Sequence, residues 1–374
     1  MIRVLHVVGP MDLGGAESFI MNIYRNIDRE KVQFDFLCLN RTEAQYTQEI
    51  LSLGGRLYSI PGISHGGLRT FQKNLYRFFC EHPEYKTVHS HLNDRSGIIL
   101  TQAKKAGVIN RYAHSHIANP KHNFKRKLIS SFFKLYFKNS VTHPFACANA
   151  AGKSLYSGKL RKNFEFIPNS IDTEKFKFSN KKRKQFREEF GFTDEILIGH
   201  IGRFMEQKNH KFLIKIFNEM LKNNGNIHLI LIGLGELKDD IENQVKSLNI
   251  EKNVHFLGAR RDIPEFLAGI DLLLFPSLFE GLSVAMVEAQ ASGVPILTST
   301  SISDEVVITD RVSMFSLENT VDKWAKKAFE IMEYAVDNER DVYAQQVANA
   351  GFGIELLANK MQNFYLSRES EILK

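Results

Sequence analysis

The stretch Asp271-Leu-Leu-Leu-Phe-Pro276-Ser-Leu-Phe-Glu280-Gly281-Leu282-Ser283-Val-Ala-Met-Val-Glu288-Ala-Gln-Ala-Ser-Gly293-Val-Pro295 reads as strand, turn and helix in succession. The run Leu272 to Phe275 has no polar alternation, so it belongs to a strand covered on both faces. Pro276 and Ser277 end the strand, Glu280 and Gly281 form the turn, and a helix begins near Ser283. A doubly buried strand leading through a turn into a helix is one unit of a parallel sheet.

Working outward, the same unit recurs. Strands are expected at Ile196 to Ile201, His228 to Ile232, Val254 to Leu257, Asp271 to Phe275 and Pro295 to Thr298, with helices such as His210 to Lys222 and Glu236 to Leu248 between them. Upstream, strands are expected at Ile2 to Val8, Phe34 to Leu39, Arg56 to Ile60, Thr87 to His89, Arg111 to His114, Phe145 to Ala148 and Phe164 to Ile167, with helical spacing at Ala16 to Ile27 and Ser96 to Ala106. The pattern restarts after Ile167 to Asp172, so the chain divides into a Rossmann-like domain over residues 1–168 and a second over 169–350. Residues 351–374 are read as a C-terminal helix packing back toward the first domain, with Trp324, Phe329, Met332, Phe352, Leu356 and Tyr365 available for packing beyond Asn319. Two doubly wound α/β units placed face to face offer a shared cleft at the carboxyl ends of their strands.

Length and composition agree. A chain of 374 residues with 43% hydrophobic and 24% charged residues is a globular protein of about two domains. No long charge-free apolar run suggests a membrane span, and the start reads as a first strand, not a signal peptide. Cys38, Cys80 and Cys147 fall outside metal-ligand spacing and are read as buried apolar side chains of a reduced, cytoplasmic protein. Up to Asn169 there are 24 Lys and Arg against 11 Asp and Glu; beyond it, 25 against 31. The basic half suits an anionic partner such as a membrane surface.

Several constellations carry chemistry. Gly14-Gly15-Ala16-Glu17 follows the first strand, where glycines let backbone amides approach a phosphate at a helix start. The spacing is not that of a dinucleotide fingerprint, and Leu39 and Asn40 stand where an acidic ribose ligand would be, which disfavours NAD. Gly202-Arg203 ends a strand and Lys208 follows at a helix start, so a guanidinium and an ammonium can neutralise a diphosphate. In the opening stretch, amides of Gly281, Leu282 and Ser283 at a helix N-terminus suit phosphate or sugar oxygens. Glu288 lies among apolar neighbours and needs a hydrogen-bonding partner, which a ribose diol would supply.

Taken together these segments resemble the retaining glycosyltransferases of family 4, which have the GT-B architecture of two Rossmann-like domains facing each other across a cleft. Arg111-Tyr-Ala-His114-Ser-His116 resembles the branch that builds bacterial capsular or extracellular polysaccharide. The resemblance implies that Arg203 and Lys208 hold the donor diphosphate and stabilise the leaving nucleotide, with no divalent metal required. It implies that Glu288 binds the ribose, Glu280 a hydroxyl of the transferred sugar, and the amides of Gly281, Leu282 and Ser283 the sugar and distal phosphate. The base would lie near Gly258 to Arg260, and Gly14 and Gly15 would contribute to the donor site. A first-domain histidine would stand beside the anomeric centre; His114 and His116 are both candidates, with His116 favoured, while His89 and His91 read as cleft-wall or core residues. Ser170 replaces the family's glycine after Pro168-Asn169, and Ser283-Val284 replaces its aromatic-glycine pair. The expected donor is a nucleotide sugar carried on UDP, with GDP as the alternative, and no cofactor is implied.

Lys121 to Lys138 interleaves cations and aromatics at helical spacing, as in a helix lying on an anionic membrane close to a lipid-linked acceptor. The competing readings are a nucleotide-sugar epimerase of similar two-domain plan and a basic nucleic-acid-binding module; the latter rests on charge alone, with no stacking motif, and no nucleic acid is expected as partner.

Overall fold

A computed structural model describes residues 1–41, 43–116, 124–280, 282–334 and 339–370 and, for 124–127 and 368–370, the backbone alone. The chain forms two compact units, Met1–Ser170 with Ile354–Lys374, and Ile171–Gly353.

The first unit is built on strands β1 (Ile2–Val8), β2 (Val32–Leu39), β3 (Leu57–Ile60), β4 (Thr87–Ser90), β5 (Asn110–Ser115), β6 (His143–Ala146) and β7 (Glu165–Phe166), all parallel in the order 3-2-1-4-5-6-7. The second holds β8 (Ile196–Ile201), β9 (Ile227–Ile232), β10 (Val254–Gly258), β11 (Leu272–Phe275), β12 (Ile296–Ser299) and β13 (Val312–Phe315), parallel in the order 10-9-8-11-12-13. Helices α1 (Gly15–Asn26) and α2 (Phe124–Lys134) pack in the first unit, and α3 (His210–Asn223) and α4 (Val284–Ala291) in the second. The C-terminal α5 (Ile354–Ser370) belongs to the first unit, where Leu357, Met361 and Tyr365 join Phe19, Tyr24, Phe34 and Phe36 in one core. The opposite face of that sheet is covered by Leu75, Phe79, Ile98 and Phe137. With both faces covered, β1 and β2 are mostly apolar, and their buried polar residues His6, Gln33 and Asp35 are hydrogen-bonded; β2 starts at Val32, two residues before the expected Phe34.

Each sheet reverses its strand order once, between β1 and β4 and between β8 and β11. Ligands of open α/β sheets bind outside the carboxyl ends of the strands at such a reversal. This single topological fact positions the candidate site.

Three expectations are corrected. β13 was not anticipated: Val312 to Phe315 is a half-buried edge strand, without the continuous apolar run of an interior one. Cys80 is exposed on a helix surface, whereas Cys38 and Cys147 are buried. Leu356 lies on the outer side of α5 and is two-thirds exposed, so it packs against nothing in the core. Among the described residues, no helix is long and apolar enough to cross a membrane.

Candidate active site

In the second unit, β8 and β11 are neighbours, so the loops after Ile201 and Phe275 meet. The first loop leaves the sheet through Gly202, turns over the buried Phe204, and makes one 3₁₀ turn over Glu206–Lys208 before α3. Its course requires glycines on the adjacent β9 loop. Gly233 has φ +149°, and a Cβ there would lie 2.0 Å from the Gly202 carbonyl oxygen; Gly235, at φ +156°, would place one 2.4 Å from that of Phe204. Any larger residue would push the Arg203 loop off the sheet. This Gly-x-Gly after β9 is a signal that the motif reading did not use.

The two loops are stitched together. The Leu278 amide donates to the Gln207 carbonyl at 2.8 Å, Asn209 Nδ2 to the Pro276 carbonyl at 3.1 Å, and Gln207 Nε2 to the Phe279 carbonyl at 2.9 Å and to Glu280 Oε2 at 3.1 Å. Gln207 is thus a positioning residue that sequence reasoning missed, since nothing local marks it. The result is an ion pair, with Lys208 Nζ 2.7 Å from Glu280 Oε1 and 4.4 Å from the centre of the Phe275 ring. Both side chains are largely buried, so their attraction is weakly screened. Beneath them His200 Nδ1 is 2.9 Å from the Leu274 carbonyl oxygen, and burial holds its ring neutral. The Arg203 guanidinium, by contrast, is exposed and has no ion-pair partner among the described residues.

Glu280 and Ser283 flank the turn; Gly281 lies outside the described residues. Leu282 is buried and Ser283 is the residue before α4. One turn into α4, Glu288 keeps some solvent access but has no side-chain hydrogen bond to another described residue, and burial raises its carboxyl to about 8, slightly offset by Lys175. Such a carboxyl gains from hydroxyl donors. Gly258 closes β10 at φ +67° and accepts from the Gly233 amide at 2.9 Å. The Arg260 side chain is held by Asp262 and Glu189, which leaves the backbone there as the available contact.

In the first unit, Gly14 precedes α1 with extended backbone, and a Cβ on it would overlap the Glu17 carboxylate at 2.3 Å. Gly15 is the first helical residue. His114 is fully buried inside β5 and contacts Phe19, whereas His116 lies just beyond the strand end, half-buried, with its amide donating to Asn93 Oδ1 at 2.9 Å. His89 and His91 are buried on the same sheet face. The chemistry-bearing groups therefore fall into two sets: Arg203, Lys208, Glu280, Leu282, Ser283, Glu288, Gly258 and Arg260 in the second unit, and Gly14, Gly15, His114 and His116 in the first.

Residues 181–350 match the family model described as "Glycosyl transferases group 1". EpsF of Bacillus subtilis (strain 168), a protein named as a glycosyltransferase, is 35% identical over 369 residues, covering 97% of this chain and 96% of its own. The Escherichia coli UDP-Gal:alpha-D-GlcNAc-diphosphoundecaprenol alpha-1,3-galactosyltransferase is 23% identical over 98% of this chain and 97% of its own. The crystal structure of Anabaena HepE in complex with UDP and glucose superposes with a TM-score of 0.80 at 17% identity, over 98% of this chain and 100% of that one, which shows the GT-B fold. These relatives are named as glycosyltransferases or share that fold, and the epimerase alternative finds no support among them. The chain belongs to the group 1 glycosyltransferases, two parallel-sheet Rossmann-like units of GT-B architecture.

Proposed function

We propose that this protein is a retaining, metal-independent transferase of glycosyltransferase family 4 that moves a sugar from a UDP-sugar to a lipid-linked glycan in the synthesis of capsular or extracellular polysaccharide. The observation that carries the reading is the pair of stitched loops at the β8/β11 reversal, which sets the Lys208 ammonium against Glu280 in the turn before α4, with the exposed Arg203 on the same loop as Lys208. These two cations, Lys208 held by Glu280 and Arg203 exposed, meet the charge of a diphosphate leaving group, the task that a magnesium ion performs elsewhere. Glu288 takes the ribose hydroxyls, Glu280 a sugar hydroxyl, the amides of Gly281, Leu282 and Ser283 the sugar and distal phosphate, and backbone at Gly258 to Arg260 the base. The second unit is the donor domain; the first, which carries Gly14, Gly15 and His116, is the acceptor domain.

In the transfer, the bond between the anomeric carbon and the diphosphate oxygen breaks, and the acceptor oxygen bonds that carbon on the same face. The acceptor proton passes to the departing phosphate oxygen, giving a glycoside and UDP. Neither carboxylate is needed as nucleophile, in contrast with a retaining glycosidase. The UDP carrier and the lipid diphosphate acceptor are supported by what the E. coli relative is named for. The test is nucleotide release from a panel of nucleotide sugars with a polyprenyl-diphosphate-linked glycan as acceptor. UDP release is expected, unchanged within about twofold by EDTA, because cations of the chain carry the charge. Absence of release from every donor, or abolition by EDTA, would refute the corresponding part.

The acceptor arrives on a membrane, and α2 is the docking element. Phe133 and, just past the helix, Phe137 anchor it in the core, while Leu128, Ile129 and Phe132 stay exposed, as does Leu135 after its end, by 75%. Lys121 to Asn123 lie outside the described residues, as do the side chains of Phe124 to Lys127, where part of the expected basic edge falls. An exposed apolar row beside cations suits an anionic bilayer better than nucleic acid, and the site is the cytoplasmic face of the cell membrane. Wild-type protein is expected to float with anionic vesicles and to lose most of that binding on combined Leu128→Ser, Phe132→Ser and Leu135→Ser, or on Lys125→Glu, Arg126→Glu and Lys127→Glu. Equal flotation of both variants would remove the membrane role.

A further inference from the structure

Three neighbouring parallel strands, β1, β4 and β5, bring five histidines to one face of the first sheet: His6, His89, His91, His114 and His116. Side chains two apart on a strand share a face, so His89-x-His91 and His114-x-His116 each place two rings there. His6 Nδ1 is 3.0 Å from His91 Nε2, and His91 Nδ1 is 2.9 Å from His116 Nε2. In both pairs the ring centres are 5.2 Å apart and the planes differ by only 21° and 29°. Roughly 5 Å between centres is the span of two rings joined edge to edge through one N–H···N bond. The three imidazoles therefore form an in-line ribbon across the strands, from buried His6 to half-buried His116. His89 and His114 stack alongside, 4.1 Å from His91 and 4.2 Å from His116.

Two triads, His6/His89/His91 and His91/His114/His116, bring nitrogens within 4.8 Å of one another. Their geometry does not favour a metal. A metal needs lone pairs that converge, these lie in the ring planes, and rings stacked face to face send theirs along parallel lines. Both nitrogens of His91 are moreover already spent on other rings.

A neutral imidazole has one N–H and one lone pair, so the ribbon has two self-consistent proton patterns. With the protons on Nε2, His116 donates inward to His91, His91 to His6, and the last N–H stands at His6 Nε2. That atom is buried without a partner, and its ring packs on Phe34 with centres 4.1 Å apart. An unpaired buried donor is costly, about 1–3 kcal/mol. With the protons on Nδ1, His6 donates to His91, His91 to His116, and the remaining N–H stands at His116 Nδ1; that atom is likewise buried without a partner among the described residues, but its ring is half-buried at the strand end, where a bound ligand oxygen would accept the proton, whereas the His6 end is closed by Phe34. We propose that His6 and His91 are positioning residues that hold His116 as the Nδ1–H tautomer, making it a neutral hydrogen-bond donor to an oxygen of the bound sugar. Burial keeps the ribbon uncharged, with His6 and His116 pushed down to about 3 and His91 well below its ordinary value. The role assigned to His116 rests on the proposed transferase reading; the tautomer does not.

The test uses full-length protein labelled with 15N in its histidines. Two-bond 15N–1H spectra are expected to show His116 as Nδ1–H in the wild type and a shift toward Nε2–H in His91→Phe, which keeps a ring but no donor. His91→Asn puts an amide NH2 near the place of Nδ1 and is expected to keep the wild-type tautomer. In nucleotide release, His91→Phe should lower kcat about 10–100-fold with UDP affinity unchanged, and His91→Asn should restore most of it. An Nε2–H tautomer for wild-type His116, or equal losses in His91→Phe and His91→Asn, would overturn the proposal. One equivalent of zinc in purified protein, lost in His91→Phe, would overturn it in favour of a metal site. The tautomer found as expected with no transfer activity from any donor would sustain the ribbon and refute the transferase reading instead.

Discussion

Lys208→Ala is expected to lower the rate of nucleotide release at saturating donor by about 10²–10³-fold, the cost of removing one fixed charge from a leaving group in a poorly screened site. In the unliganded chain this ammonium is balanced by Glu280 at 2.7 Å, so the variant also strands a buried carboxylate. A stability loss of about 2 kcal/mol should accompany the loss of rate, less than for a fully buried pair because Lys208 retains some exposure. The two effects separate in the double variant Lys208→Ala, Glu280→Gln, which should regain most of the stability in urea melts and none of the rate. Near-normal turnover in a folded Lys208→Ala protein would remove this lysine from the catalytic set. Arg203 has no such internal partner, so Arg203→Ala should weaken UDP binding without a stability change.

Glu288→Gln is expected to abolish donor binding at pH 8 and, at the same pH, to make the protein more stable. The sign follows from linkage. The carboxyl titrates near 4.5 when unfolded and near 8 when folded, because burial disfavours its charged form. Between those values the folded state holds the extra proton, so this group's contribution to stability falls as pH rises through the window and is level above 8. At pH 5 the variant and wild type should unfold alike; at pH 8 the variant should gain about 1–2 kcal/mol, reduced from the full shift because the side chain keeps solvent access. Donor hydroxyls favour the ionised carboxylate, so UDP-sugar affinity in the wild type should rise from pH 6 to 8 with release of a proton. Calorimetry in buffers of different ionisation enthalpy reads that proton directly. A flat affinity profile in the wild type, or equal melts of the two proteins at pH 8, would contradict a ribose-binding Glu288.

Local pattern shows clearly wherever burial on two faces dictates it. Ile2 to Val8 and Ile196 to Ile201 coincide with their strands, since most side chains there are buried and apolar, with Arg3, His6 and His200 as the polar exceptions. Legibility fails where one face is wet: Val312 to Phe315 at a sheet edge, Cys80 on a helix exterior and Leu356 on the outside of α5. That Arg203, Lys208 and Glu280 stand on loops after strands and Glu288 on a helix was readable because glycine and proline mark the turns between those elements. Gln207 was not, because its bonds to Phe279 and Glu280 cross more than seventy residues.

The amino-acid sequence alone determines that strands and helices alternate, that the sheets are parallel, and that the cations stand at strand ends; each follows from apolar period and turn chemistry, which are local. Tertiary structure alone decides that β8 lies beside β11, so that Lys208 meets Glu280, and that β1, β4 and β5 adjoin, so that His6, His91 and His116 form one ribbon. Strand order arises from the packing of whole layers, and no window of neighbouring residues encodes it.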